Sequence, residues 1–200
     1  LGGTHFMCSV NSMVDGRPEL LAETSNKSIS MDMFVYCLEN YFRLEALKRY
    51  QCDLYAGEEG SLPWIKESLK VRKSIREWLV LMNDTDSLIL EIPFSSRRLM
   101  RGKGIEDVEE MEIDRLEIKK LLQKYVKMSI QLVQLTIQKA NLSDDQVFTI
   151  VPVGTTSNLF FVRDELFLSF GDKVYKQQLY SNIIAKGIGK YISMYYCIVC

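Results

Sequence analysis

Two hundred residues with 47% hydrophobic and 26% charged side chains make an ordinary globular composition, with enough chain to bury a sizeable core. The formal net charge of −1 excludes a global field that would draw the chain to nucleic acid or to an anionic membrane surface. Five cysteines at irregular spacing, Cys8, Cys37, Cys52, Cys197 and Cys200, argue against a disulfide framework and fit reduced thiols in a cytoplasmic or nuclear setting.

The chain starts at Leu1, which reads as a trimmed or partial sequence, and nothing at the start resembles a signal peptide. His5 to Val10 predicts a short strand. Asn11 to Ser30, with Gly16, Pro18 and many small polar residues, predicts a loop, so residues 1–30 are expected to form an N-terminal arm. Ser30 then caps a helical pattern over 31–55, with Phe34, Leu38, Tyr41, Phe42, Leu44 and Leu47 at helix spacing. Pro63 opens a second helix through Ile65, Leu69, Ile75, Trp78 and Leu79. Ser87 to Phe94 alternates like a half-covered strand, and Glu106 to Ile113 is read as its hairpin partner.

The segment Asp114 to Asn141 carries the most information. Leu116, Leu121, Leu122, Tyr125 and Met128 share roughly one face at its start. It then turns apolar nearly all round, through Val126, Ile130, Leu132, Val133, Leu135 and Ile137, which predicts one long enclosed helix. Val147 to Val153 reads as an interior strand. Leu159 to Val162, Glu165 to Phe170 and Tyr191 to Val199 read as further strands, with a loop at Gly154 to Asn158.

Chemistry-bearing motifs are sparse. Cys197 and Cys200 form a C-x-x-C without a second ligand pair, so no metal site is expected. The GKG at Gly102–Gly104 and the GIG at Gly187–Gly189 do not extend to a phosphate-binding fingerprint. The single histidine, His5, lies in the expected arm, which disfavours a serine triad. Arg97, Arg98, Arg101 and Lys103 form a basic loop that is a candidate patch for an anionic partner, although the acidic run after it answers those charges. No cofactor is expected.

In fold class the chain is expected to be α+β, a central sheet packed on a long buried helix and two further helices. The element order resembles the HORMA domain family. IREWLVLMNDTDSLILEI (75–92) is similar to that family's second helix and first sheet strand, VEEMEIDRLEIKKLLQKYVKMSIQLVQLTI (108–137) to its strand and central helix, and LYSNIIAKGIGKYISMYYCIV (179–199) to its closing segment. The tyrosine-arginine-proline pattern of many members is absent from LKRYQCDLYAGEEG. The resemblance implies one HORMA-like domain over 31–200, with 154–200 as a mobile belt. It implies a non-enzymatic adaptor for cell-cycle, meiotic, DNA-repair or autophagy assemblies, which captures an extended partner peptide at a sheet edge. The peptide would lie along Val147, Phe148, Ile150, Val151, Leu159, Phe160 and Phe161. Partners would be a protein or peptide, or a second HORMA-like chain in a homo- or heterodimer, with neither membrane nor nucleic acid involved. Two alternatives stand beside it: an α/β enzyme domain whose active site is completed elsewhere, and a structural subunit of a larger complex.

Overall fold

The computed structural model describes residues 4–15, 17–55, 57–82, 85–93, 97, 102, 110–176 and 197–199. The chain is α+β, as its patterning predicts. Its contacts divide it into two compact units: Leu1–Asp32 together with Gln123–Cys200, and Met33–Leu122. This division differs from the expected arm at 1–30 followed by a single body over 31–200, because the first thirty residues build a sheet with the C-terminal part of the chain.

That sheet begins with β1 (Phe6–Val14) and β2 (Arg17–Asn26), an antiparallel hairpin. Val14 pairs with Arg17, so only Asp15 and Gly16 connect the strands. Asp-Gly suits such a turn because it tolerates left-handed backbone, and Asp15 has φ of 50°. Phe6, Cys8, Val10 and Ser12 alternate into the interior. β2 is exposed along nearly all its length, and Pro18 sits on it as it does on edge strands. An edge strand with little burial shows no alternation, which is why Asn11–Ser30 reads as a loop in the sequence.

The strand order is β2-β1-β6-β5, with β5 at Thr149–Val151 and β6 at Cys197–Val199. β6 runs antiparallel to β1 and parallel to β5. On its other side β5 forms a bridge from Ile150 to Val174, and Tyr175 N donates to Ile150 O at 2.8 Å. Both edges of β5 are therefore occupied, and the open edge expected at Val147–Val153 is not there.

The long helix, α3 (Arg115–Lys139), is unbroken. Asp114 Oδ1 accepts from Glu117 N at 2.6 Å and caps its start. Ile118, Leu122, Val126, Ile130, Val133 and Ile137 form its buried stripe, whereas Leu116, Leu121 and Leu135 are exposed. The helix is thus amphipathic throughout rather than enclosed, since three leucines on its outer face imitate a second apolar side.

Within the first unit α3 is tied to β2 by a buried hydroxyl pair. Thr136 Oγ1 donates to Leu132 O at 2.6 Å, so Thr24 Oγ1, 2.5 Å away, donates to Thr136. Thr136→Val should leave the buried Thr24 hydroxyl without its acceptor and cost about 1–2 kcal/mol, while Thr24→Val with Thr136→Val together should recover most of that loss. Urea melts of the single and double variants would show it, and equal losses in all three would contradict it.

After α3 a 3-10 turn at Asp144–Gln146 leads into β5, and another at Thr156–Asn158 leads into α4 (Phe160–Phe170). Gly171, at φ 58°, ends α4. The two strands expected at Leu159–Val162 and Glu165–Phe170 are therefore one helix. Its buried residues, Phe160, Phe161, Val162 and Leu166, are aromatic, β-branched or leucine, and their strand preference yields to packing.

The second unit holds α1 (Met31–Tyr50, all but its first two residues), α2 (Leu62–Leu81), and the antiparallel hairpin of β3 (Ser87–Glu91) and β4 (Glu110–Asp114), which ends in the first turns of α3. The register runs from Ser87↔Asp114 to Glu91↔Glu110, the pairing expected from the alternating pattern. Leu88, Leu90, Met111 and Ile113 turn one face of the hairpin inward, and Phe34, Leu38 and Phe42 of α1 with Ile75 and Leu79 of α2 complete the interior. A buried carboxylate, Glu39, accepts from Tyr55 Oη at 2.7 Å and from Arg72 Nε at 2.7 Å. Burial, and then this bond to Glu39, push the Tyr55 phenol well above its ordinary range.

Candidate phosphate site

The chain leaves β5 through Val153 and turns at Gly154, whose φ of 94° lies in the left-handed region. A side chain at that φ is strained, so glycine is needed there. Gly154 O then accepts two bonds, from Ser157 Oγ at 3.1 Å and from Asn158 Nδ2 at 2.7 Å. These fold residues 154–158 into a closed turn whose Thr156 and Ser157 are buried and whose Thr155 is exposed. The turn delivers the backbone directly into the N-terminus of α4, where Val162 N and Arg163 N bond back to Leu159 O. A strand, a glycine turn rich in hydroxyls and a helix N-terminus make an arrangement suited to anions, because the helix start carries partial positive charge and outward-pointing amides.

The sheet register adds a second wall. Val151, Val199 and Ser9 lie side by side across β5, β6 and β1. β1 runs antiparallel to the other two, so its beginning projects past the same end of the sheet as the C-terminal end of β5. Thr4 and His5, which precede β1, therefore belong to the end of the sheet at which β5 gives way to Gly154, with β6 between the two strands. Thr4 Oγ1 and His5 Nδ1 are hydrogen-bonded at 3.1 Å. Ligands of sheets with parallel strands gather beyond such strand ends.

Nearby cations are otherwise engaged. Arg163 donates to Lys176 O at 2.7 Å and lies 5.5 Å from the Phe167 ring, and burial lowers its pKa. Lys173 Nζ donates to Asp144 O. Of the hydroxyls in the loop, that of Thr155 lies on an exposed residue, whereas Thr156 and Ser157 are buried and Ser157 Oγ is bonded to Gly154 O.

The residues singled out from the sequence fall elsewhere. Of the seven expected along a bound peptide, Val147, Ile150, Val151, Leu159, Phe160 and Phe161 are buried in the interior, and only Phe148 is exposed, at 60%. A run of apolar residues looks the same in sequence whether it awaits a partner or forms the core. Arg97 is half-buried beside Glu67, Lys70, Ser74 and Glu91, lining a shallow pocket of about 330 Å³. Arg98, Arg101 and Lys103 lie outside the described residues, as does most of the expected belt, 177–196. Residues 154–176 of that belt carry the turn and α4. Cys197 is in β6, whereas Cys200, Gly104, Gly187 and Gly189 lie outside the described residues. Among the described residues no helix is long and apolar enough to cross a membrane.

The turn at Gly154 is hard to see in the sequence because α4, which follows it, patterns as strands. Without a helix after it, Gly154 looks like any loop glycine. A β-branched strand followed by glycine and three hydroxyl residues was the available signal.

The family model for Hsp70 protein matches residues 1–189. No curated protein matches the chain. The match overturns the HORMA resemblance, which rested on element order alone, and removes the peptide-capturing adaptor, its dimer of like chains and its cell-cycle, meiotic and autophagy settings. The expectation of a non-enzymatic protein falls too, since Hsp70 proteins are ATPases. Protein partners remain in keeping with a family whose members bind protein substrates and co-chaperones. With nearly its whole length matched, the chain belongs to the Hsp70 family.

Proposed function

We propose that this chain is a nucleotide-binding part of an Hsp70-type ATPase, holding the phosphates of a nucleoside di- or triphosphate at the end of the β2-β1-β6-β5 sheet. The observation that carries the reading is the strand–Gly154–helix turn between β5 and α4, at the end of the sheet where β1 begins. The glycine allows the backbone to come close to a phosphate, and the start of α4 stabilises its charge. Phosphoryl transfer depends on positioning and on neutralising charge as it develops, with little covalent work for the protein. The turn answers the positioning requirement, and residues beyond it complete the site.

Isothermal titration of the 200-residue chain with ATP, ADP and adenosine tests the reading. Saturable binding of ATP and ADP is expected, tighter than binding of adenosine, because the phosphates supply the charge-assisted bonds. ATP and ADP binding no tighter than adenosine would remove the phosphate site.

A further inference from the structure

We propose that the outer face of α3 between Gln123 and Lys139 is a docking surface for an acidic helix of a protein partner. The proposal stands apart from the phosphate reading and rests on charge and spacing. From Ile118 to Ser143 the chain carries five lysines and no aspartate or glutamate, in a protein whose formal net charge is −1. Lys124, Lys127, Gln131, Gln134 and Gln138 follow one another at steps of three and four, so they line one face of the helix for about 21 Å. All five are exposed, and the buried stripe through Val126, Ile130, Val133 and Ile137 lies on the opposite side.

The lysines of this face lack the counter-charges that the other long helices supply for themselves. On α1 Lys48 and Arg49 both pair with Glu45, and on α2 Lys73 pairs with Glu77. Among the described residues neither Lys124 nor Lys127 has a carboxylate within ion-pair distance. Lys124 instead lies between Lys120, one turn before it, and Lys127, one turn after, and like charges at that spacing weaken a helix. A glutamate at 124 would serve the helix better on its own, so the lysine suits a negative charge brought by another chain. The glutamines extend the stripe with side chains that both donate and accept, which pair with polar residues of a protein surface. A helix with carboxylates three and four residues apart repeats the spacing of the stripe and meets Lys124 and Lys127 together. A nucleic acid would call for arginine and aromatic side chains, and the stripe has neither.

The test is fluorescence anisotropy with a labelled helical peptide whose glutamates recur every third or fourth residue, titrated with the full chain and its variants at low ionic strength. Saturable binding that weakens as salt is added is expected. Lys124→Glu should bind the peptide roughly tenfold more weakly. The same variant should melt no lower than the native chain, because it turns two repulsive neighbours into attractive ones. Lys124→Arg should keep the affinity. Lys66→Glu, an equal change of net charge on the exposed surface of α2, should keep it too. Gln131→Glu places a carboxylate one turn further along the stripe and should weaken binding in the same direction, which guards against a fault peculiar to one variant. Native affinity in both Lys124→Glu and Gln131→Glu overturns the proposal, as does an equal loss in Lys66→Glu, which would mark a response to overall charge. Tighter binding of duplex DNA or of anionic vesicles than of the peptide overturns it in favour of another class of partner.

Discussion

Replacing Arg72 by alanine is expected to destabilise the unit Met33–Leu122 by about 3 kcal/mol, among the largest effects of any change away from the apolar core. The reason lies at Glu39, a carboxylate that is 2% exposed and held by two donors, Tyr55 Oη and Arg72 Nε. Removing the guanidinium leaves a buried negative charge with one neutral donor, and the desolvation of that charge is no longer offset. Arg72 is itself 41% exposed, so water can partly replace it and the loss should fall at the low end of the range for buried pairs. The charge explanation makes a further demand. In an Arg72→Ala background, Glu39→Gln should recover much of the stability, because an amide costs far less to bury than a carboxylate. Tyr55→Phe alone should cost about 1–3 kcal/mol, the loss of one bond to a buried acceptor. Urea denaturation of these variants, arranged as double-mutant cycles, provides the comparison. If Glu39→Gln brings no recovery, lost packing of the Arg72 stem is the cause instead.

The same contrast between local pattern and tertiary context decides what could be read from the residues alone. The β3–β4 hairpin was legible because Leu88 and Leu90 face Met111 and Ile113 with strict alternation, a pattern that only a half-covered sheet produces. The length of α3 was legible for a similar reason, but its enclosure was not. Leu116, Leu121 and Leu135 carry the right chemistry for a core and lie exposed on the outer face, whereas the stripe from Ile118 to Ile137 at steps of three and four is what the fold uses. β2 left no pattern, because a strand with an exposed edge and exposed side chains is under no pressure to alternate. α4 left a misleading one, since Phe160, Phe161 and Val162 favour strands when considered alone. These two errors compound at the site. With β2 read as loop, the start of β1 belonged to no sheet, and with α4 read as strands, Gly154 preceded no helix. Helix, helix, strand, strand and long helix is an order that unrelated folds share, and the missing hairpin and helix were the elements that would have told them apart.

Gly154→Ala should reduce ATP affinity at least roughly tenfold, the counterpart of about 1.4 kcal/mol, and cost about 1–3 kcal/mol of stability. The stability term comes from backbone geometry. At φ of 94° any Cβ is strained, and the chain must either keep the strain or relax toward negative φ. Relaxation is resisted by the carbonyl of the same residue, which accepts from both Ser157 Oγ and Asn158 Nδ2. If the residue rotates, both bonds are disturbed and the turn no longer delivers Leu159 and Phe160 to the start of α4 in the same place. The binding term follows from that displacement, since amides and a helix start act on a phosphate only at hydrogen-bond range. Asn158→Ala separates the two contributions. It keeps glycine at 154 and removes only one of the two closing bonds, so its ATP affinity should fall between those of the native chain and Gly154→Ala. Thermal melts read the stability and calorimetry reads the affinity, on the same preparations. A Gly154→Ala chain that is less stable yet binds ATP like the native protein would show that the turn shapes the fold without touching a phosphate.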